Sequence, residues 1–342
     1  MKAAFVFAGQ GAQYSGMGKD LYENFEEARK VFDEAGDDIK RLCFEGSDEE
    51  LRATENTQPC IYAVTMAALR TFEARFAGAP SAGAGFSLGE YAALTAAGHI
   101  ASVADGIELM KCRGKWMAEA GMSADGAPLG TMAAVIGNPE KVAALVEECR
   151  SDGILTAANF NAPMQTVVSG EIAAVERFIK AATDAKLRIT PLSVSSAFHS
   201  ELMAPAAEKM SKLLLEGGYA QAAVENGGFP VYSNYTAQPV SDYRSEKERI
   251  TKSGANAGLT NGANAGLTEE AFAELMGLQL MSSVQWVNTI RNIIDTGVDT
   301  FIEFGPGRTL SGLIKKIDKS VRTLRVENCE TLEETLKEIG DR

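Results

Sequence analysis

The sequence predicts an α/β protein in two parts, and three observations carry that reading. Residues Ala3-Ala4-Phe5-Val6-Phe7 form a short apolar run that stops at Ala8-Gly9-Gln10-Gly11, the pattern of a buried strand ending in a glycine-flanked turn. Gly85-Phe86-Ser87-Leu88-Gly89 has the form G-x-S-x-G, in which two glycines allow a tight strand-to-helix turn that exposes a serine hydroxyl. From 128 to 194 the pattern alternates as β-α-β-β-α-β, the split-βαβ order of a ferredoxin-like unit. The small unit is therefore expected as an insertion at 128–194 in a larger one made of 1–127 and 195–342.

Taken in order, the first strand should place its turn at the carboxyl end, where α/β sheets present ligands. Gly9-x-Gly11 does not continue into a dinucleotide fingerprint, because the third glycine position holds Tyr14. Gln10, held between two glycines, is either a donor into a cleft or a solvated turn residue. Helical scaffold is expected between Leu21 and Phe76, with Ile61, Val64, Ala68 and Phe72 on one face. Ser81-Ala82-Gly83-Ala84 is a poor strand by propensity. The segment Leu88–Ala97, rich in Ala and Leu with Glu90 in its first turn and Gly98 after it, reads as a helix.

Chance alone gives the G-x-S-x-G spacing about 0.2 times in a chain of this composition, so the nucleophile reading of Ser87 competes with an ordinary glycine-rich turn. Ser102-x-x-Asp105 should cap a helix running to about Ala120. Within it, Arg113 shares a stripe with Leu109, Met110, Trp116 and Met117. A guanidinium there needs an anionic partner, either an internal carboxylate or the carboxylate of a ligand. In the small unit the strands are Thr131–Ile136, Leu155–Asn159, Thr166–Ser169 and Leu187–Val194, and the helices Pro139–Cys149 and Ile172–Ala185.

The chain has two histidines, His99 and His199. His99 follows a predicted helix end, a common place for a capping histidine, whereas His199 lies at a strand-to-loop junction among small polar residues and is the better base for Ser87. Pro230–Asn234 reads as a strand. Ser253-Gly254-Ala255-Asn256-Ala257-Gly258-Leu259-Thr260 recurs at 261–268 with one change, and 245–268 is expected as a mobile surface insertion without chemistry. A helix should begin near Gln285. A strand at Asp299–Phe304 should end at Gly305-Pro306-Gly307, and Lys315 and Lys316 belong to the helix after it.

Bulk composition narrows the function. The 342 residues are 45% apolar and 23% charged, ordinary for a soluble chain, with no run near the roughly 20 apolar residues a membrane span needs. A net charge of −13 argues against general nucleic-acid binding. Five scattered cysteines lack any Cys/His metal spacing, so no metal is expected, and no cofactor is expected either. They fit reduced thiols in a cytoplasm, and the N-terminus carries no signal-peptide pattern.

Together, Phe7-Ala8-Gly9-Gln10-Gly11, Gln58-Pro59, Gly85 to Tyr91, Arg113, Asn159-Phe160-Asn161, Ala197 to Ser200, Val284-Gln285-Trp286 and Glu303 to Gly307 resemble the malonyl-CoA:acyl carrier protein transacylases over nearly the whole chain. The resemblance implies an α/β-hydrolase-like large subdomain carrying the ferredoxin-like insert, with the active site between them. It assigns Ser87 as nucleophile, His199 as base, Arg113 as the clamp for the malonyl carboxylate and the backbone amides of Gln10 and Leu88 as the oxyanion hole. The carbonyl of Gln285 is expected to orient the imidazole, and Gln58, Asn159 and Phe198 to join Arg113 in contacting substrate.

Two positions depart from the family pattern, Ala8 where proline is usual and Phe86 where histidine is usual; neither supplies a required proton. Ala197-Phe198-His199-Ser200 is the form associated with malonyl rather than methylmalonyl selection. The implied partners are malonyl-CoA and an acidic acyl carrier protein met transiently by a monomer, with Lys315 and Lys316 as the candidate docking surface. The alternative is a serine esterase or thioesterase of the α/β-hydrolase type. Those place histidine late in the chain after an acid, and no histidine follows His199 here.

Overall fold

The computed structural model describes residues 1–151, 153–194, 196–219, 228–245 and 267–340. All but two residues of the duplicated segment, Leu267 and Thr268, fall outside that set. Nine strands are present among the described residues: β1 Ala3–Phe7, β2 Ala82–Gly85, β3 Gly130–Ile136, β4 Leu155–Ala162, β5 Gln165–Glu171, β6 Arg188–Pro191, β7 Val231–Tyr232, β8 Thr300–Phe304 and β9 Arg322–Val326. Five make an all-parallel sheet in the order β7-β2-β1-β8-β9. The other four make an antiparallel sheet in the order β4-β5-β3-β6, the ferredoxin-like arrangement that the βαββαβ pattern predicts.

The parallel sheet is buried on both faces, which is why β1 and β8 read as largely apolar runs, Thr300 and Glu303 being the polar residues. One face packs on the helix Thr54–Glu73, on which the helix Val103–Ala120 packs in turn, with Phe5, Phe7, Phe72 and Phe304 in mutual ring contact. The other packs on the helices Trp286–Asp295 and Thr309–Ile317 around Trp286, Ile290 and Leu313. The helix Val103–Ala120 has the predicted bounds, and the Ser102 side chain accepts the Asp105 N–H at 3.0 Å.

Against its propensity, Ala82-Gly83-Ala84-Gly85 forms a strand, and tertiary contacts explain why. A Cβ at Gly83 would stand 2.3 Å from the Phe229 ring, and one at Gly85 would stand 1.8 Å from the backbone carbon of Gly89. The small residues are there so that the helix Gly89–Ala96 can fold back tightly on the strand that feeds it. Two small-lobe strands run longer than expected, β4 to Ala162 and β5 to Glu171, while β6 stops at Pro191. The expected strand at 230–234 contracts to Val231–Tyr232 at the sheet edge. Strands β1, β2 and β8 all end on one side of the sheet, so the turns at Gly9–Gly11, Ser87 and Gly305–Gly307 gather there.

Candidate active site

Ser87 sits between β2 and the helix Gly89–Ala96 with left-handed backbone, φ 54°. Such geometry is costly for a residue with a Cβ and persists only where neighbours over-determine it. Here Asn234 does so: its Oδ1 accepts the Ser87 N–H at 2.7 Å, and its Nδ2 donates to the Gly85 carbonyl at 2.6 Å. The hydroxyl is left facing a cavity of about 370 Å³ whose lining includes Gln10, Gln58, Arg113, Asn159, Phe198 and His199.

His199, also left-handed at φ 56° and 3% exposed, puts Nε2 2.8 Å from Ser87 Oγ. Its Nδ1 faces two carbonyl oxygens, Gln279 at 3.1 Å and Ser282 at 3.2 Å. Carbonyls only accept, so Nδ1 carries the proton and Nε2 is left as the acceptor for the serine hydroxyl. Both carbonyls lie at the C-terminal end of the helix Glu269–Met281, where acceptors lack intrahelical donors and where the negative end of the dipole would steady an imidazolium. At rest the ring is neutral, since burial, with the Arg113 charge beside it, pushes it from the ordinary 6.5 down to about 4.

This arrangement corrects the expectation for Gln285. Its carbonyl accepts the Thr289 N–H at 2.9 Å as the first bond of the helix Trp286–Asp295, and the residue lines a separate pocket of about 250 Å³ with Tyr235 and Ser283. The residue that sequence reasoning missed is Gln279. One signal was available: it is a buried amide in Phe272-Ala273-Glu274-Leu275-Met276-Gly277-Leu278-Gln279-Leu280-Met281, an otherwise largely apolar stretch. His99 packs against the ring of Phe272, in the all-helical part of the core.

Arg113 is 1% exposed. Its Nη1 donates to Gln58 Oε1 at 2.7 Å, and its Nη2 to Gln279 Oε1 at 3.1 Å and to Ser87 Oγ at 3.2 Å. Every one of these acceptors is neutral, and buried Nε has no hydrogen-bond partner among the described residues. The internal salt bridge considered from sequence is not made among the described residues: Gln58, Gln279 and Ser87 orient the guanidinium, and the buried carboxyl of Glu90 attracts it without direct contact. Burial lowers the affinity of Arg113 for its proton, so the site gains from any anion that reaches it.

The backbone N–H groups of Gln10 and Leu88 make no hydrogen bond among the described residues, although Leu88 is fully buried. Unpaired donors in such a place suit a charge that develops only during reaction. Gln10 is itself tethered, its Nε2 donating to Thr54 Oγ1 at 3.2 Å. Asn159 and Phe198 reach the cavity from the small lobe and the crossing loop, and the Asn159 backbone bridges to Val284 of the large lobe.

Fold and site together define an enzyme of acyl transfer: a half-buried serine facing the cavity and paired with a neutral imidazole, unpaired amide donors beside it, and a cation with no salt-bridge partner among the described residues within hydrogen-bond reach of the nucleophile. The acyl transferase domain model matches residues 4–338. Malonyl CoA-acyl carrier protein transacylase of Bacillus subtilis is 37% identical over 350 residues, covering 99% of each chain. The solved malonyl CoA-acyl carrier protein transacylase of Clostridium perfringens superposes with a TM-score of 0.83 at 36% identity, covering 100% of this chain and 98% of that one. A malonyl-transacylase solved in complex with its type II PKS acyl-carrier protein gives 0.84 at 33% identity, covering 99% and 100%. This chain belongs to the malonyl CoA-acyl carrier protein transacylases of the acyl transferase family.

Proposed function

We propose that this chain transfers the malonyl group of malonyl-CoA to the phosphopantetheine thiol of an acyl carrier protein by a ping-pong route through a malonyl ester on Ser87. The observation that carries the reading is the state of Arg113, a buried guanidinium bonded only to neutral oxygens and 3.2 Å from the Ser87 hydroxyl oxygen. A carboxylate on the acyl group supplies the missing charge, whereas an acetyl group leaves it unmet.

In the first half-reaction Ser87 Oγ attacks the thioester carbonyl as its proton passes to His199 Nε2. The carbonyl π electrons move onto oxygen, where the Gln10 and Leu88 N–H groups receive them; donors of this kind contribute about 3 kcal/mol each in comparable sites. Collapse breaks the C–S bond, and the coenzyme A sulfur leaves with the proton from His199. The second half-reaction is the reverse with the carrier thiol: His199 takes its proton, sulfur attacks the ester carbonyl, and the C–O bond breaks as Ser87 recovers a proton. Both halves run on the two substrates together with side chains and backbone N–H groups of this chain.

Intact-protein mass spectrometry after mixing with malonyl-CoA tests this. A malonyl increment that maps to Ser87 and disappears on adding carrier protein is the expected result. No adduct on Ser87 discards the mechanism. Release of free malonate faster than transfer to carrier thiol would point instead to a thioesterase. The five free cysteines fit a reducing cytoplasm as the working compartment, and no helix among the described residues is long and apolar enough to cross a membrane.

A further inference from the structure

Behind the site, Glu90 is completely buried, one residue past the second glycine of the serine turn, and no step above uses it. Its Oε2 accepts two hydrogen bonds from distant segments, the Asn234 N–H at 3.1 Å and Gln279 Nε2 at 3.2 Å. Gln279 commits both ends of its amide and its backbone carbonyl to the site: Nε2 also donates to the Ser87 carbonyl at 2.8 Å, Oε1 accepts from Arg113 Nη2, and the backbone oxygen accepts from His199 Nδ1.

A side-chain amide has two orientations, related by a half-turn, which exchange donor and acceptor. If Gln279 were turned over, its N–H groups would confront those of Arg113, and the guanidinium would lose one of its acceptors. We propose that Glu90 is a positioning residue for selection of the acyl carboxylate: by offering only an acceptor, it locks the Gln279 amide with its oxygen toward Arg113 and so aims the guanidinium into the cavity. The proposal rests on the malonyl-transfer reading of the site.

The lock does not depend on the charge of Glu90. Burial pushes this carboxyl up to about 7; Arg113, Tyr91 and His199 are the charged or titratable side chains facing the same cluster, with Ser233, Asn234 and Gln279 its hydrogen-bonding neighbours. With a proton on Oε1, which has no hydrogen-bond partner among the described residues, Oε2 remains an acceptor for both donors. Reach is what matters. The serine turn has its own support, because Asn234 is also held through its carbonyl by the Gln285 N–H at 2.8 Å. Loss of the Glu90 contact should therefore weaken the clamp more than the nucleophile.

Two variants separate reach from charge. Glu90→Asp keeps the carboxylate and withdraws it by one methylene, while Glu90→Gln keeps the length and an acceptor oxygen and removes the charge. For each, kcat/KM for malonyl-CoA is compared with the rate of Ser87 acylation by p-nitrophenyl acetate, a neutral probe with nothing for Arg113 to hold. Glu90→Asp should lower the malonyl-CoA value about tenfold or more, mainly through KM, while acylation by the neutral ester stays within about threefold; Glu90→Gln should keep the ratio of the two within about threefold of the parent. Equal losses on both substrates in Glu90→Asp, or an unchanged ratio in a folded Glu90→Asp protein, overturn the proposal. Should Glu90→Asp fail to fold, a collapsed ratio in Glu90→Gln overturns it and a retained ratio supports it. Failure of the parent to form a malonyl ester on Ser87 is a different result, and refutes the functional reading itself.

Discussion

Ser87 Oγ and His199 Nε2 lie 2.8 Å apart, joined across 112 positions of sequence, and each residue holds a left-handed backbone conformation that side chains rarely adopt. Two strained residues facing each other across a hydrogen bond act as one unit. Replacing either with alanine should lower malonyl transfer by about a thousandfold or more, and the double variant should be no worse than the poorer single one. Steady-state transfer rates for the three variants check this; multiplied losses in the double variant would mean that the two residues work separately.

Protonation of the pair follows from its burial. An imidazole lowered to about 4 is neutral throughout the physiological range and loses its acceptor role only as pH falls through that value. The pH profile of Ser87 acylation by p-nitrophenyl acetate, a probe with no titrating group, should be flat from pH 8 to 5 on its acid side and fall below that. Glu90 titrates near 7 but accepts in both forms, so no step is expected there. With malonyl bound, its carboxylate offsets the Arg113 charge that helps depress His199, so the acid limb of kcat should lie higher than that of the neutral probe. An acid limb at 6.5 for the neutral ester contradicts this account of the site.

Selection by charge predicts how Arg113 variants divide. Arg113→Lys keeps the charge but loses the planar fork that spans Gln58, Gln279 and Ser87. It should reduce kcat/KM for malonyl-CoA about a hundredfold, corresponding to about 2.7 kcal/mol. Arg113→Ala should go further and bring malonyl-CoA and acetyl-CoA within about tenfold of each other. The check is a pair of turnover assays on each variant; an undiminished preference for malonyl-CoA in Arg113→Ala would place the carboxylate elsewhere.

What was legible in the sequence is what chemistry makes local or scarce. Ser87 is announced by its flanking glycines, His199 by the small number of histidines, and the small lobe by an alternation written continuously in 128–194. Gln279 was not legible as the orienting residue because its contribution to His199 is a backbone carbonyl, which any residue possesses; only the end of the helix Glu269–Met281 puts it in place. Strand β2 was underrated because propensity describes an isolated strand, whereas Gly85 answers to a helix packed on its Cα. Gly85→Ala should therefore destabilise the fold by at least about 3 kcal/mol, since the clash is with backbone and no side chain can move aside. Urea denaturation measures it, and a loss below about 1 kcal/mol would show that the turn can open.

Carrier docking must work against the overall acidity of this chain, so a few local cations should matter disproportionately. Lys316 is well placed. It lies in the helix Thr309–Ile317 of the large lobe, and its Nζ donates at 3.2 Å to Oε1 of Gln165, a small-lobe residue that lines the cavity. Lys315 Nζ instead donates to the Val321 carbonyl of the neighbouring loop, which ties its charge to the body of the large lobe. Lys316→Glu should raise the KM for acyl carrier protein about fivefold at low ionic strength, with Lys315→Glu giving a smaller rise. Added salt should shrink both effects, because exposed charges are screened over about 10 Å at 0.1 M. The KM for malonyl-CoA should stay within about twofold in each variant. Parallel increases for both substrates would locate the lysines on the coenzyme A path, and no increase for the carrier would move the docking surface away from this helix.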